Sequence, residues 1–258
     1  MRKYGYLVVE GPHDVAFAYR LLEPFKLKQI QYKHIVDEAF HRLILTSYPD
    51  KDGDIQKRMP TPLFLQNETH AIAICSAVGD SQLINTIMGN EVNLDISVES
   101  IGILLDSDTQ MSAQQRYTKV KADLAEASAS KFVLPAVAGT ITQGKPNLGA
   151  FVLPDNQTAG TLEDLLLESA EQKYPCLLKM AKNYVADAKY NAGLKKSELK
   201  ELKNAGENKA IIGAMATIMR PAKSIQVSIQ DNDWLRGTAL EIERIKSVQN
   251  FLKILFDL

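Results

Sequence analysis

Tyr6-Leu-Val-Val-Glu-Gly-Pro-His-Asp-Val-Ala-Phe17 joins a short apolar run to a helix start through Glu10-Gly11-Pro12. A continuous apolar run ending at a turn signal is the pattern of a strand buried on both faces of a parallel sheet. Pro12 suits the first helical position and Asp14 its first turn. Val15, Ala18, Leu21 and Leu22 then continue as an apolar stripe towards Pro24. A second run of the same kind, Ile101-Gly-Ile-Leu-Leu-Asp-Ser-Asp108, ends on two aspartates. In open α/β sheets, ligands bind at the carboxyl ends of the strands. If the two strands are neighbours, Glu10, Asp14, Asp106 and Asp108 converge, and so many carboxylates stay ionised together only around a cation. The expectation is a site for a hard divalent ion, Mg²⁺ or Mn²⁺.

Outward from these two runs, the apolar pattern of Ile35, Phe40, Leu43 and Ile44 predicts a helix between Gln29 and Tyr48. Pro62–Gln66 and His70–Cys75 read as strands joined by Asn67-Glu-Thr69. Ser76-Ala-Val-Gly-Asp80 leads from the second of these into a helix carrying Leu83, Ile84 and Ile87. A glycine turn at a helix N-terminus can take an anion, so Gly79, together with Gly11, is a candidate phosphate contact. A helix is expected from about Ser112 to Ser128, and strands at Lys131–Pro135 and Gly149–Pro154. Gly139-Thr-Ile-Thr-Gln-Gly-Lys145 matches the opening of a nucleotide-binding P-loop, but Pro146 replaces the hydroxyl residue and a strand follows instead of a helix.

Thr161 suits an N-cap, with Glu163 and Asp164 in the first turn, where dipole compensation alone accounts for them. Helices are then expected over Leu166–Lys189, Lys195–Ile218 and Gly237–Phe256. No Gly/Ser/Pro-rich linker intervenes. Residues 1–170 are therefore read as the core, with an insertion near 29–66, and 171–258 as a helical extension packed on it in one compact unit.

The chain has 258 residues, 45% hydrophobic and 24% charged, as in an ordinary globular protein. No apolar run approaches a membrane span and no targeting segment is visible, so a cytoplasmic protein without membrane contact is expected. Cys75 and Cys176 give neither a disulfide framework nor zinc spacing and read as buried thiols. A net charge of −1 argues against binding nucleic acid over the whole surface. Between Lys173 and Lys209, however, nine lysines stand against four acids, with Tyr174, Tyr184 and Tyr190 interleaved. That composition suits a nucleic-acid track centred on Lys195, Lys196, Lys200 and Lys203; the plain alternative is a solvated helical face.

Glu10-Gly11 followed by Asp14, with a later strand ending Asp106-Ser-Asp108, resembles the Toprim domain of topoisomerases, bacterial primases, ribosomal-RNA maturation nucleases and the overcoming-lysogenization-defect (OLD) nucleases. The resemblance covers roughly residues 4 to 165. It implies a Toprim-like α/β fold, with about four mainly parallel strands sandwiched by helices and a helical C-terminal elaboration. It further implies Glu10, Asp14, Asp106 and Asp108 as metal ligands, with Glu10 also placed for general acid or base work. Glu163 resembles the glutamate that begins a helix after the last sheet strand in OLD-type nucleases. Lys209, in Asn208-Lys-Ala-Ile-Ile-Gly, resembles their late lysine, which faces the metal site.

The leading expectation is a stand-alone, OLD-like Toprim nuclease using Mg²⁺ or Mn²⁺ on DNA or RNA. An ATPase partner chain and a second copy of this chain are the protein partners considered. Two other classes stay open. One is a non-catalytic Toprim-like module that binds nucleotide or protein. The other is an aspartate-dependent phosphatase, because Ile103-Leu-Leu-Asp-Ser-Asp-Thr109 resembles the haloacid-dehalogenase motif; there Gln110 departs from the pattern and Glu10 has no role.

Overall fold

A computed structural model of the chain describes residues 2–44, 61–91, 98–107, 111–203 and 205–258. Asp108 lies outside the described residues. β1 (Lys3–Val9) runs into α1 (Pro12–Leu22), as the opening stretch requires. The strands β2 (Lys28–Ile30), β3 (Leu63–Gln66), β4 (His70–Ser76), β5 (Ser100–Asp106) and β6 (Asn147–Leu153) complete one sheet in the order β2-β3-β4-β1-β5-β6. β4, β1, β5 and β6 are parallel, whereas β3 and β2 add antiparallel pairings at one edge. The result is a mixed α/β fold with a six-stranded, mainly parallel sheet. The expected four strands match only its parallel part. The hairpin through Asn67-Glu-Thr69 extends the sheet on that side, because Asn67 Oδ1 accepts from the His70 N–H at 2.7 Å and closes the turn.

Strand periodicity separates the two faces. Leu7, Val9, Ile72, Ile74 and Leu104 face a layer containing α1, α4 (Leu162–Lys173), α5 (Pro175–Asn191), α6 (Ala205–Met219), α7 (Ile225–Asp231) and α8 (Glu243–Phe256). Tyr6, Val8, Ala73, Ile103 and Leu105 face α2 (Leu83–Glu91) and α3 (Ala113–Ala127). α8 crosses the sheet over glycines. A Cβ at Gly5, Gly102 or Gly149 would run into Phe256, Leu255 or Phe251 respectively. Residues 171–258 therefore share one continuous apolar core with the sheet.

Several expected elements differ. The helix expected over Gln29–Tyr48 is replaced, among the described residues, by edge strand β2 and two 3₁₀ stretches, Lys33–Ile35 and Glu38–Leu43. There Val36, Phe40 and Leu43 reach the core without α-helical turns, helped by Asp37, whose carboxylate accepts from the Ala39 N–H. Lys131–Pro135 is not a strand: Phe132 and Leu134 are buried, but the segment is held by α3, with the Tyr117 hydroxyl donating to the Pro135 carbonyl at 2.9 Å. The expected helix Leu166–Lys189 is two, broken at Pro175, which cannot supply the N–H that a continuous helix needs. Among the described residues of the span expected as a helix over Lys195–Ile218, only α6 is α-helical, preceded by a 3₁₀ turn at Lys200–Leu202. The last expected helix begins as a 3₁₀ stretch, Gly237–Glu241, before α8.

Cys75 is buried and its thiol is pushed up to about 12 by desolvation, but Cys176 is exposed, because the first turn of α5 faces outward. Tyr174, read above as part of a basic aromatic track, instead packs edge-on against Trp234 at 5.5 Å. No described helix is long and apolar enough to cross a membrane.

Candidate functional site

The pairing register brings the two acidic strand ends together. Val9 lies opposite Leu104 on β5, so Glu10 emerges one position from Asp106 across neighbouring parallel strands. Alternation along the strands sends their side chains to opposite faces. Glu10 follows Tyr6 and Val8 towards α3, where its Oε1 accepts from Arg116 Nη2 at 3.1 Å and from the Asp106 N–H at 3.0 Å. Asp106 follows Leu104 towards the other layer, where its Oδ1 accepts from the Leu162 N–H at the start of α4, at 2.9 Å.

Two helix starts complete the arrangement. At α1, Gly11 is extended (φ −143°) and Pro12 takes the first turn, while Asp14 Oδ2 accepts from the Gly11 N–H at 2.9 Å. At α4, the Thr161 N–H donates to Asp164 Oδ2 at 2.8 Å. That turn is stapled to β5 by Ser107, whose N–H and hydroxyl both donate to the Gly160 carbonyl. Asp164 in turn accepts from Asn208 Nδ2 at 2.9 Å, which seats the start of α6 beside α4 and presents Lys209.

These pieces line one cleft of about 280 Å³, bounded by Glu10, Gly11, Pro12, His13, Asp14, Val78, Gly79, Asp106, Leu162, Glu163 and Lys209. Of the residues singled out from the sequence, Glu10, Asp14, Asp106, Glu163, Lys209, Gly11 and Gly79 meet here. Lys195, Lys196, Lys200 and Lys203 do not line the cleft; they are exposed on the connection between α5 and α6.

The electrostatics are those of crowded acids. Burial is the largest cause raising the Asp14 carboxyl, to about 7, and Glu10 and Glu163 push it the same way. Asp106 is raised well above the ordinary carboxylate range by burial first, then by Asp14, Glu10 and Glu163. Glu163 is 5% exposed, and its Oε2 is buried without a hydrogen-bond partner. The N-termini of α1 and α4, both directed here, offset part of this negative charge. Among the described residues no three His, Cys, Asp or Glu side chains are already disposed as a metal cage. The donor set nonetheless fits a hard cation: carboxylate oxygens only, mutually repelling, one of them orphaned.

Three polar residues of this neighbourhood escaped the sequence reading. His13 lines the cleft with Glu163 and Lys209, and burial lowers its imidazole below the ordinary histidine value. Its signal was available, as a titratable side chain inside Glu10-Gly-Pro-His-Asp14. Arg116 and Asp80 carried none, because a lone arginine in a polar helix and an aspartate after a glycine turn look like surface residues.

A family model described as a protein of unknown function (DUF3226) matches residues 4–257. The crystal structure of a hypothetical protein from Pyrococcus horikoshii superposes with a TM-score of 0.52 at 15% identity, over 99% of this chain and 95% of that one, and this likeness shows the fold alone. No curated protein matches the chain.

Proposed function

We propose that this chain, which belongs to the DUF3226 family of proteins of unknown function, uses the acidic cleft for divalent-metal-dependent phosphodiester cleavage in nucleic acid. The observation that carries the reading is the meeting of Glu10, Asp14, Asp106 and Glu163 with Lys209 at the carboxyl ends of the central parallel strands. This is the set of residues implied by the resemblance to OLD-like Toprim nucleases, apart from Asp108.

Asp14, Asp106 and Glu163 would hold Mg²⁺ or Mn²⁺, with Glu10 as a further ligand or as the group that moves a proton. A bound ion of this kind supplies an activated water and neutralises charge developing on the phosphate. Lys209, exposed at the cleft and unpaired among the described residues, attracts the scissile phosphate and offsets its charge. Gly11 and Gly79 border the cleft without a side chain, but the Gly11 N–H is taken by Asp14 Oδ2 and the Gly79 N–H by the Glu10 carbonyl, so the charge of Lys209 carries the phosphate contact. The lysines of the α5–α6 connection would hold the flanking strand. Lys209 lies only about 6 Å of helix from the start of α6, and Lys189 Nζ to Glu207 at 2.7 Å ties the two helices together at this end. Tyr184 and Tyr190 remain exposed on α5 for base stacking.

One observation favours a second reading. Glu10 is engaged by Arg116 at 3.1 Å, as suits a module that binds nucleotide or protein without turnover. The test is cleavage of plasmid DNA and structured RNA, with Mg²⁺ or Mn²⁺, by wild type and Asp106→Ala. Cleavage that needs both the metal and Asp106, and falls at least about 100-fold in the variant, supports the nuclease. Binding without cleavage selects the module. Hydrolysis of small phosphate esters alone selects an aspartate-dependent phosphatase.

A further inference from the structure

Arg116, in the first turn of α3, is 3% exposed, and a guanidinium is kept at such depth only where its charge is met. Its Nε donates to the Asp106 carbonyl at 3.1 Å. Its Nη2 donates to Glu10 Oε1 at 3.1 Å and, in a shorter contact, to Asp80 Oδ1. The Gly79 N–H donates to the Glu10 carbonyl at 3.0 Å. One side chain thus joins the ends of β1 and β5 to the turn that follows β4, and all three border the cleft.

We propose that Arg116 is the positioning residue of this cleft: its charge competes with a divalent cation for Glu10, and Asp80 sets the balance by sharing the guanidinium. The inference rests on the metal-dependent reading above and names how that site is regulated. Two features carry it. The same nitrogen serves Glu10 and Asp80, one N–H to each, so the two carboxylates share a single guanidinium charge. The two carboxylates also differ in depth, with Asp80 44% exposed and Glu10 17%. Asp80 is therefore the partner that can take over the guanidinium at the surface while Glu10 turns inward to a cation. The turn itself is held against its own preference. Val78, a β-branched residue, has a φ of 58°, a left-handed conformation that persists only where surrounding contacts impose it. Val78 and Gly79 line the cleft, so the Arg116–Asp80 contact also fixes one of its walls.

Calorimetric titration of Mn²⁺ into metal-free wild type, Asp80→Asn and Asp80→Glu tests this directly. Without the Asp80 charge the guanidinium bears on Glu10 alone, and Mn²⁺ affinity is expected to fall about tenfold. Asp80→Glu should restore it, while thermal unfolding of the metal-free proteins stays close to wild type. Wild-type uptake of Mn²⁺ with unchanged affinity in Asp80→Asn overturns this inference alone. So does a loss that Asp80→Glu fails to restore. No Mn²⁺ uptake by wild type overturns the metal reading as well.

Discussion

The two ends of the parallel strands make opposite use of charge. At the amino end, Lys3 pairs with Asp257, Arg2 Nη1 meets Asp37 Oδ2 at 2.9 Å and Glu99 Oε2 accepts from the Tyr4 N–H at 2.7 Å. A cleft of about 180 Å³ is present there too, lined by acids and bases in balance. At the carboxyl end, Glu10, Asp14, Asp106 and Glu163 crowd together, and two of them, Asp14 and Asp106, are raised by burial first and then by their acidic neighbours. Both ends contain buried polar groups, so burial alone does not mark a site. What separates them is that one end resolves its charges within the fold, whereas the other leaves them in conflict, as functional sites do.

This contrast predicts pH dependences of opposite sign. Asp14 is raised from 3.8 to about 7, so between those values the folded state binds more protons than the unfolded state, and stability falls as pH rises. Asp14→Asn keeps an oxygen to accept from the Gly11 N–H and removes the conflict. At pH 7.5 without metal it should stabilise the protein by about 2 kcal/mol, or roughly 4–8 °C in unfolding temperature. The gain should vanish near pH 4 in denaturant titrations. No gain at pH 7.5 would mean that the acids are already relieved, and the contrast between the two ends would collapse.

A smaller effect is expected from His70, at the amino end. Burial, then Lys3, lowers its imidazole, against the carbonyls of Phe256 and Asp257 and the Asp257 carboxylate, which raise it. Its folded value lies below its unfolded one, so its contribution is present above about pH 6.5 and is lost as pH falls through the folded value. In His70→Gln, the acid-side decline of stability between pH 7 and 5 should flatten; an unchanged curve would locate that decline elsewhere. Smallest of all is Lys3→Ala. Lys3 and Asp257 are 48% and 77% exposed, so the loss should stay within about 0.5 kcal/mol by chemical denaturation. A larger loss would show that the amino end depends on this pair more than its exposure implies.

How legible the chain was depended on the range of the interactions involved. β1, β4, β5, α1 and α3 were readable because apolar runs, Pro12 and Ser112 act within a few residues. β2 was not, because Lys28-Gln-Ile30 has no strand pattern of its own and is extended only by pairing with β3. Lys131–Pro135 failed in the opposite sense: its alternation is real and buries Phe132 and Leu134, but among the described residues no neighbour pairs with it as a ladder. The acids of the cleft were legible from their positions after strands and at helix starts, whereas Arg116 was not, since its role exists only where α3 passes behind Glu10.

The sequence by itself determined that acidic residues would end two buried strands and begin two helices, because strand burial, proline placement and capping are local properties. Only the tertiary structure decided that β1 and β5 are adjacent, that α4 and α6 bring Glu163 and Lys209 to the same edge, and that Arg116 holds Glu10. Those outcomes depend on strand pairing and helix packing between residues about a hundred positions apart, and no local pattern encodes which partner a buried face will meet.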